Sequence, residues 1–285
     1  MKKYFGYFIV AVMFLSVAIT SCKKDKDEVK VMTLTTESDK VSFSLIGSGI
    51  ITIDWGDGTE METHTLVPTV DMGDYITTKE YLFSHSYSGI SIRIIKITGE
   101  NITRLDCSDN QLTSLDISKN TALSGLHCNN NQLTSLDVSK NTALVELFCW
   151  NNQLMSLDVS KNTLLSSLQC GNNQLTSLDV SKNTMLLSLQ CAINQITNLD
   201  VSKNLVLNSL YCYNNKLMSM DVSKNTILIF LQCINNQLDS AALNALFGTL
   251  HDNIFEWSKY LYIGGNPGAN SCDQSIAKDK GWTVY

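Results

Sequence analysis

The sequence predicts a mainly β chain: a solenoid of 21-residue coils, preceded by a β-sandwich and closed by a C-terminal helical cap. Three observations predict it. Seven cysteines fall at 107, 128, 149, 170, 191, 212 and 233, a constant spacing of 21 residues. All 26 asparagines lie at or after Asn101, so a different construction principle starts there. Before that point, short segments alternate apolar and polar residues, the period of a half-buried strand. The 285-residue chain is 44% hydrophobic and carries two prolines, which rules out a disordered sequence and allows a large core. Its net charge of −6 gives no reason to expect a nucleic-acid partner.

The N-terminus reads as an export signal over residues 1–21. Lys2 and Lys3 precede an apolar run, Tyr4 to Ala18, broken only by Gly6 and Ser16. The run is short for a spanning helix and sits at the very start of the chain. Its end, Ile19-Thr20-Ser21-Cys22, resembles the lipobox of bacterial lipoproteins. The resemblance implies that Cys22 receives diacylglycerol and becomes the new N-terminus. Residues 22–30 then hold that cysteine and a charged tether, Lys23-Lys24-Asp25-Lys26-Asp27-Glu28, which cannot bury surface. This tether is similar to the surface-export signals of Bacteroidota lipoproteins, which implies a surface-exposed outer-membrane lipoprotein held by its lipid alone. No other segment is long and apolar enough to span a bilayer.

Residues 31–100 have β character. Val41-Ser42-Phe43-Ser44-Leu45 and Ile90-Ser91-Ile92-Arg93-Ile94 alternate, and between them Ile50-Ile51-Thr52-Ile53 runs into Asp54-Trp55-Gly56-Asp57-Gly58-Thr59. Asp-Gly after an apolar strand signals a hairpin, because glycine tolerates positive φ. The Trp-Gly-Asp-Gly-Thr run, followed by His85-Ser86-Tyr87, resembles the PKD-like module, whose fold is an immunoglobulin-like β-sandwich. Asp54 and Asp57 fit turn-fixing side-chain acceptors better than a metal or acid pair. His85 fits a packed or capping role.

Residues 101–238 repeat one template. It reads Leu123-x-x-Leu126-x-Cys128-x-x-Asn131-x-Leu133-x-x-Leu136-Asp137-Val138-Ser139-Lys140-Asn141, and returns from Leu144, Leu165, Leu186 and Leu207. Such self-similarity marks a stacked architecture. The unit resembles the leucine-rich repeat, in particular the bacterial 21-residue class with a nested half-repeat, which implies that both halves are extended. One unit is one coil, and coils stack at about 4.8 Å. Leu126, Cys128, Leu133, Leu136 and Val138 are expected inside, where stacking neighbours bury them. The resemblance also puts the Asn131 amide inside, bonded to backbone groups of adjacent coils. Asp137, Lys140 and Asn141 are expected to form further ladders on the opposite wall.

The cysteines are expected to be buried hydrophobes. Metal ligands converge, commonly in C-x-x-C pairs, and none exists here. An odd set cannot pair completely within the array. No metal or other cofactor is expected. After Leu238 the template fails, and residues 239–285 form the cap. Leu243, Leu246, Phe247 and Leu250 recur at helical spacing with Ser240 as N-cap. Tyr260-Leu261-Tyr262-Ile263 reads as one more degenerate strand, followed by a short helix near Ser275 and a last strand.

Catalytic signatures are missing: no nucleophile elbow, no H-E-x-x-H and no phosphate loop occur. No catalytic residue is assigned. What varies from coil to coil is the surface. Positions flanking each Leu-x-Cys strand are mostly small or polar, but Phe148, Trp150, Tyr211, Tyr213 and Phe230 are aromatic. Exposed aromatics suit protein contacts and sugar rings. These five residues are the expected ligand-binding set, facing a protein or glycan partner of a monomeric chain. The floor between Trp150 and Tyr213 (Ser167, Gly171, Ser188, Ala192) is expected to be low. Two other uses compete. The rings could pack on one another across strands in a passive spacer or accessory subunit, and an enzyme stands a distant third.

Overall fold

The computed structural model describes residues 29–67, 69–71, 76–254 and 257–285; Cys22 and the leader lie outside them. The N-terminal part holds strands β1 (Val31–Thr36), β2 (Lys40–Asp54), β3 (Glu62–Leu66), β4 (Thr69–Asp71), β5 (Ile76–Thr78), β6 (Tyr81–Ser86) and β7 (Arg93–Thr98). The first coil adds β8 (Asn101–Asp106) and β9 (Leu112–Asp116). Alternation is visible in β1, where Met32, Leu34 and Thr36 are buried and their neighbours are not.

Strand β2 is long enough to serve two sheets. Its first half pairs antiparallel with β6 on one side and with β8 on the other. Its second half pairs with β3 and β7. The β2–β8 register slips between Ile46 and Gly47, where a Cβ on Gly47 would stand 2.4 Å from the Asn101 carbonyl oxygen. Only glycine permits that approach. Strand β1 bridges β7 and β9, so each of the two sheets ends on the first coil of the solenoid. One continuous core runs from Met32 to Trp282, without a linker at residue 100.

Trp55 organises the turn that follows β2. It is 1% exposed, its indole N–H donates to Glu62 (2.7 Å), and its carbonyl accepts from the Tyr87 hydroxyl (2.8 Å). His85 stacks on it at 4.9 Å and bonds Asp57 at 2.8 Å. The Asp54 and Asp57 carboxylates accept the backbone N–H groups of Gly56 and Thr59. Both acids therefore fix the turn, and His85 is packed.

The coils that follow contribute one short strand each: β10 (Gly125–His127), β11 (Glu146–Phe148), β12 (Ser167–Gln169), β13 (Ser188–Gln190), β14 (Ser209–Tyr211) and β15 (Phe230–Gln232). They pair in parallel and in register, each residue with the one 21 positions on. The chain is thus a mainly β solenoid of 21-residue coils. Leu126, Cys128, Leu133 and Val138 are fully buried, and Leu136 is buried to 8% exposure, with their equivalents in each coil.

Two asparagine columns hold the coils together. In the first, Asn152 donates to the carbonyls of Cys128 (2.9 Å) and Cys149 (3.1 Å) and accepts from the Leu133 N–H (3.0 Å). The same bonds recur at Asn131, Asn173, Asn194, Asn215 and Asn236. Asn110 starts the column by bonding both backbone groups of Ser42 in β2. In the second column Asn141 donates to Ile117 and Asn120 carbonyls of the preceding coil (3.0 and 2.9 Å).

The opposite wall departs from the expected pattern in two ways. It carries a strand only in the first coil, β9; later coils turn there through bonds such as Asn141 N–H to the Val138 carbonyl. Successive coils meet on that wall through the Asn141-type amide and one backbone bond, Gln153 N–H to Leu133 carbonyl. Asp137 and Lys140 form no ladder. The Asp137 carboxylate accepts from Ser139 N–H in its own coil, which lowers its pKa, and Lys140 is exposed.

The C-terminal cap comprises α1 (Ser240–Thr249), β16 (Lys259–Tyr262), α2 (Ser275–Lys278) and β17 (Trp282–Val284). It is less helical than expected: α1 spans ten residues and α2 is a single turn. Asp239, not Ser240, caps α1 by accepting from Ala242 N–H, while the Ser240 hydroxyl is engaged by Ser271. Strands β16 and β17 extend the parallel sheet, and Leu243, Leu246 and Phe247 cover the last coil. Ile263 takes the cysteine position, and Asn266 closes the first asparagine column by accepting from Asn236 and Leu238.

Candidate recognition face

Period-2 geometry sends the residues before and after each strand leucine to the outer face of the sheet. One row runs Gly125, Glu146, Ser167, Ser188, Ser209, Phe230, Tyr260, and the next His127, Phe148, Gln169, Gln190, Tyr211, Gln232, Tyr262. Residues following each cysteine, among them Trp150, Gly171, Ala192 and Tyr213, border this face where the chain leaves the sheet. All five expected aromatics are half-buried on this side.

They do not behave alike. Phe148 stacks on His127 at 4.3 Å and 14°. Tyr211 packs on Phe230 (4.8 Å) and Phe230 on Tyr262 (5.4 Å), and Tyr262 stacks on Tyr285 (4.8 Å). Phe230 and Tyr262 each pack between two rings, whereas Phe148 and Tyr211 each have one ring neighbour. Trp150 and Tyr213 belong to no ring pair among the described residues. The expected low floor is partly closed: Gly171 and Ala192 are buried, and a Cβ on Gly171 would lie 3.0 Å from the Gln190 side-chain oxygen.

Tyr260, Tyr262 and Tyr285 extend the aromatic surface into the cap and were absent from the expected set. The signal was present, since Tyr260-Leu261-Tyr262 repeats the x-Leu-x register of the strands. His127 is more engaged than a bare polar surface residue. Its ring lies 3.6 Å from Asp106 and 3.8 Å from Glu146, which also pairs with Arg104. Burial favours the neutral Asp106 acid, but hydrogen bonds from His127 and Ser108 prevail and bring its pKa down to about 2.

The seven array cysteines are free and fully buried. Burial pushes the thiols of Cys191 and Cys233 up to about 12 and raises the other five. A thiol so protonated is neither a nucleophile nor a ready metal ligand. Among the described residues no group of three or more His, Cys, Asp or Glu side chains converges on a metal-sized site. No helix among them is long and apolar enough to cross a membrane.

No family model and no curated protein sequence matches the chain. Solved structures do. The functional domain of InlJ from Listeria monocytogenes, which includes a cysteine ladder, matches at 37% identity and a TM-score of 0.51, covering 64% of this chain and 43% of that one. A leucine-rich-repeat protein of Leptospira interrogans matches at 26% identity and a TM-score of 0.56, over 64% and 48% of the two chains. Internalin C2 from Listeria monocytogenes shares the fold at 20% identity and a TM-score of 0.54, over 65% and 81%. The matched part spans less than half the length of the first two proteins. The solenoid of 21-residue coils thus matches the fold of leucine-rich-repeat proteins.

Proposed function

We propose that the protein is a non-enzymatic recognition module whose strand face binds a protein or glycan partner. One observation carries this reading. Trp150 and Tyr213 hold large, half-buried rings beside the sheet without a ring to pack on among the described residues, whereas Phe148, Tyr211 and Phe230 are each paired. Unpaired aromatics of this kind concentrate binding energy in interfaces. The similarity to leucine-rich-repeat structures supports a protein partner over a glycan. Replacing Trp150 and Tyr213 together with alanine is expected to weaken binding by about 700-fold, since truncating each anchor costs about 2 kcal/mol. The melting temperature should stay nearly unchanged, because neither ring supports another. A glycan array and a surface pull-down with the chain from Lys23 onward supply the ligand. Undiminished binding by the double variant would refute the assignment of the face.

The stacked rings favour a second reading, a spacer stiffened by its own aromatics. Unfolding of the double variant would support it.

The placement of the module is part of the proposal: a surface-exposed outer-membrane lipoprotein, anchored through Cys22, with the charged residues that follow as tether. The lipobox-like Ile19-Thr20-Ser21-Cys22 supports it. Cys22→Ala is expected to abolish lipid labelling and leave the leader uncleaved or the protein released. Normal labelling and membrane retention of that variant would contradict the anchor. The N-terminal unit is read as a PKD-like, immunoglobulin-like sandwich, supported by the Trp55 turn and its Tyr87 hydrogen bond.

A further inference from the structure

The turn that follows each strand passes through left-handed backbone. Asparagine occupies it at Asn151, Asn172, Asn214 and Asn235, with φ between +49° and +56°. Ile193 stands at the same place in its coil, at φ +56°. A β-branched side chain crowds the backbone there, and asparagine does not suffer the same cost. Ile193 is 41% exposed and is not one of the buried core residues. Backbone strain held by an exposed side chain points to a use outside the fold.

The replacement also breaks a surface ladder. Asn172 donates its amide to Asn151 (2.6 Å), and Asn235 donates to Asn214 (2.7 Å). With isoleucine between them, the Asn172 side-chain oxygen has no donor and the Asn214 amide no acceptor among the described residues. In the same coil as Ile193, beside Gly171, the Gln190 side-chain oxygen is buried and unpartnered. An acceptor and a donor thus flank an apolar knob across two coils, about 10 Å. Three residues of extended chain span the same distance at about 3.3 Å each. Trp150 lies two coils to one side of Ile193 and Tyr213 one coil to the other.

We propose that Ile193 is the centre of a peptide-binding site. An extended polypeptide segment of the partner crosses the coils there, lays an apolar side chain on Ile193, and pairs its backbone with Asn172 and Asn214. This rests on the reading of the strand face as a recognition surface and narrows the partner to a polypeptide. An oligosaccharide has no aliphatic side chain to match Ile193.

Ile193→Asn tests it, because that change restores the ladder and removes the strain. The variant should melt higher than the parent, so lost binding cannot be lost folding. The probe is a displayed library of random short peptides, panned on the full chain. Enriched peptides should share an apolar residue and bind Ile193→Asn at least about tenfold more weakly than the parent. Equal affinity for the two, or no enrichment, overturns the proposal. Peptides that fail on the Trp150/Tyr213 double variant but still bind Ile193→Asn overturn this site and leave the aromatic face standing. A glycan hit without any peptide enrichment does the same.

Discussion

Asn152→Leu is expected to lower the unfolding free energy by about 3–4 kcal/mol, more than any substitution on the strand face. The cause is local. Each cysteine carbonyl in the column is shared by two asparagines: Cys128 O accepts from Asn131 and Asn152, and Cys149 O from Asn152 and Asn173. Removing Asn152 leaves both carbonyls with one donor. The Leu133 N–H fares worse, because its recorded acceptor is the Asn152 oxygen and it then sits in the core with none. An orphaned buried donor costs about 1–3 kcal/mol, and each further lost bond adds about 1. Asn151→Gly is the control. Asn151 is exposed, its side chain bonds only the surface amides of Asn130 and Asn172 in the adjacent coils, and it has a φ of +56° that glycine accepts. Its replacement should change stability by less than about 1 kcal/mol. Urea midpoints of the two variants measure the difference. Similar midpoints would mean that the buried column does not hold the coils together.

The columns also show how far a sequence of this type can be read. The repeat was legible because a coil cannot bury its apolar residues alone, so selection acts on the same positions in every unit. That logic placed Leu126, Cys128 and Leu133 inside, with the cysteines as hydrophobes, while Asn131 was placed there by the resemblance to leucine-rich repeats. It failed where a residue recurs for reasons internal to its own coil. Asp137 repeats as faithfully as Asn141, yet it serves a turn within one coil while Asn141 reaches the preceding one. Periodicity reports that a residue is needed, not which neighbour needs it.

The candidate site was less legible. The sequence marked which residues flank the strands, and so found the five aromatics. It did not show that Phe148 would stack on His127 and Tyr211 on Phe230, because stacking depends on side-chain rotamers rather than register. Tyr260, Tyr262 and Tyr285 lay beyond the point where the template fails. The 30-residue step from Cys233 to Ile263 hides the continuation of the 21-residue spacing, since α1 is inserted there. Ile193 was visible only as a departure from asparagine; its φ gives the departure a physical meaning.

Gly268→Ala is expected to unseat the cap, costing about 3 kcal/mol or more, at the upper end of what overpacking produces. A Cβ at Gly268 would stand 2.2 Å from the Asp239 carbonyl carbon and 2.2 Å from the Ser240 nitrogen. Both are backbone atoms, so no rotamer change relieves the clash. They are also the start of α1, where Asp239 accepts from Ala242, and Gly268 N–H donates to the Leu238 carbonyl at 2.9 Å. The turn that carries Asn266 would have to move away, taking the last member of the asparagine column with it. Leu238 and Phe247 would then lose their cover, and an open stack end is a template for association. Gly248→Ala supplies the opposite sign. Nothing lies within 4 Å of its would-be Cβ, and it sits inside α1, where alanine is favoured by about 0.5–1 kcal/mol. Thermal melts and light scattering of the two variants should therefore diverge: Gly268→Ala lower-melting and prone to self-association, Gly248→Ala slightly higher-melting and unassociated. If Gly268→Ala melts with the parent, the cap does not close on the solenoid through this turn.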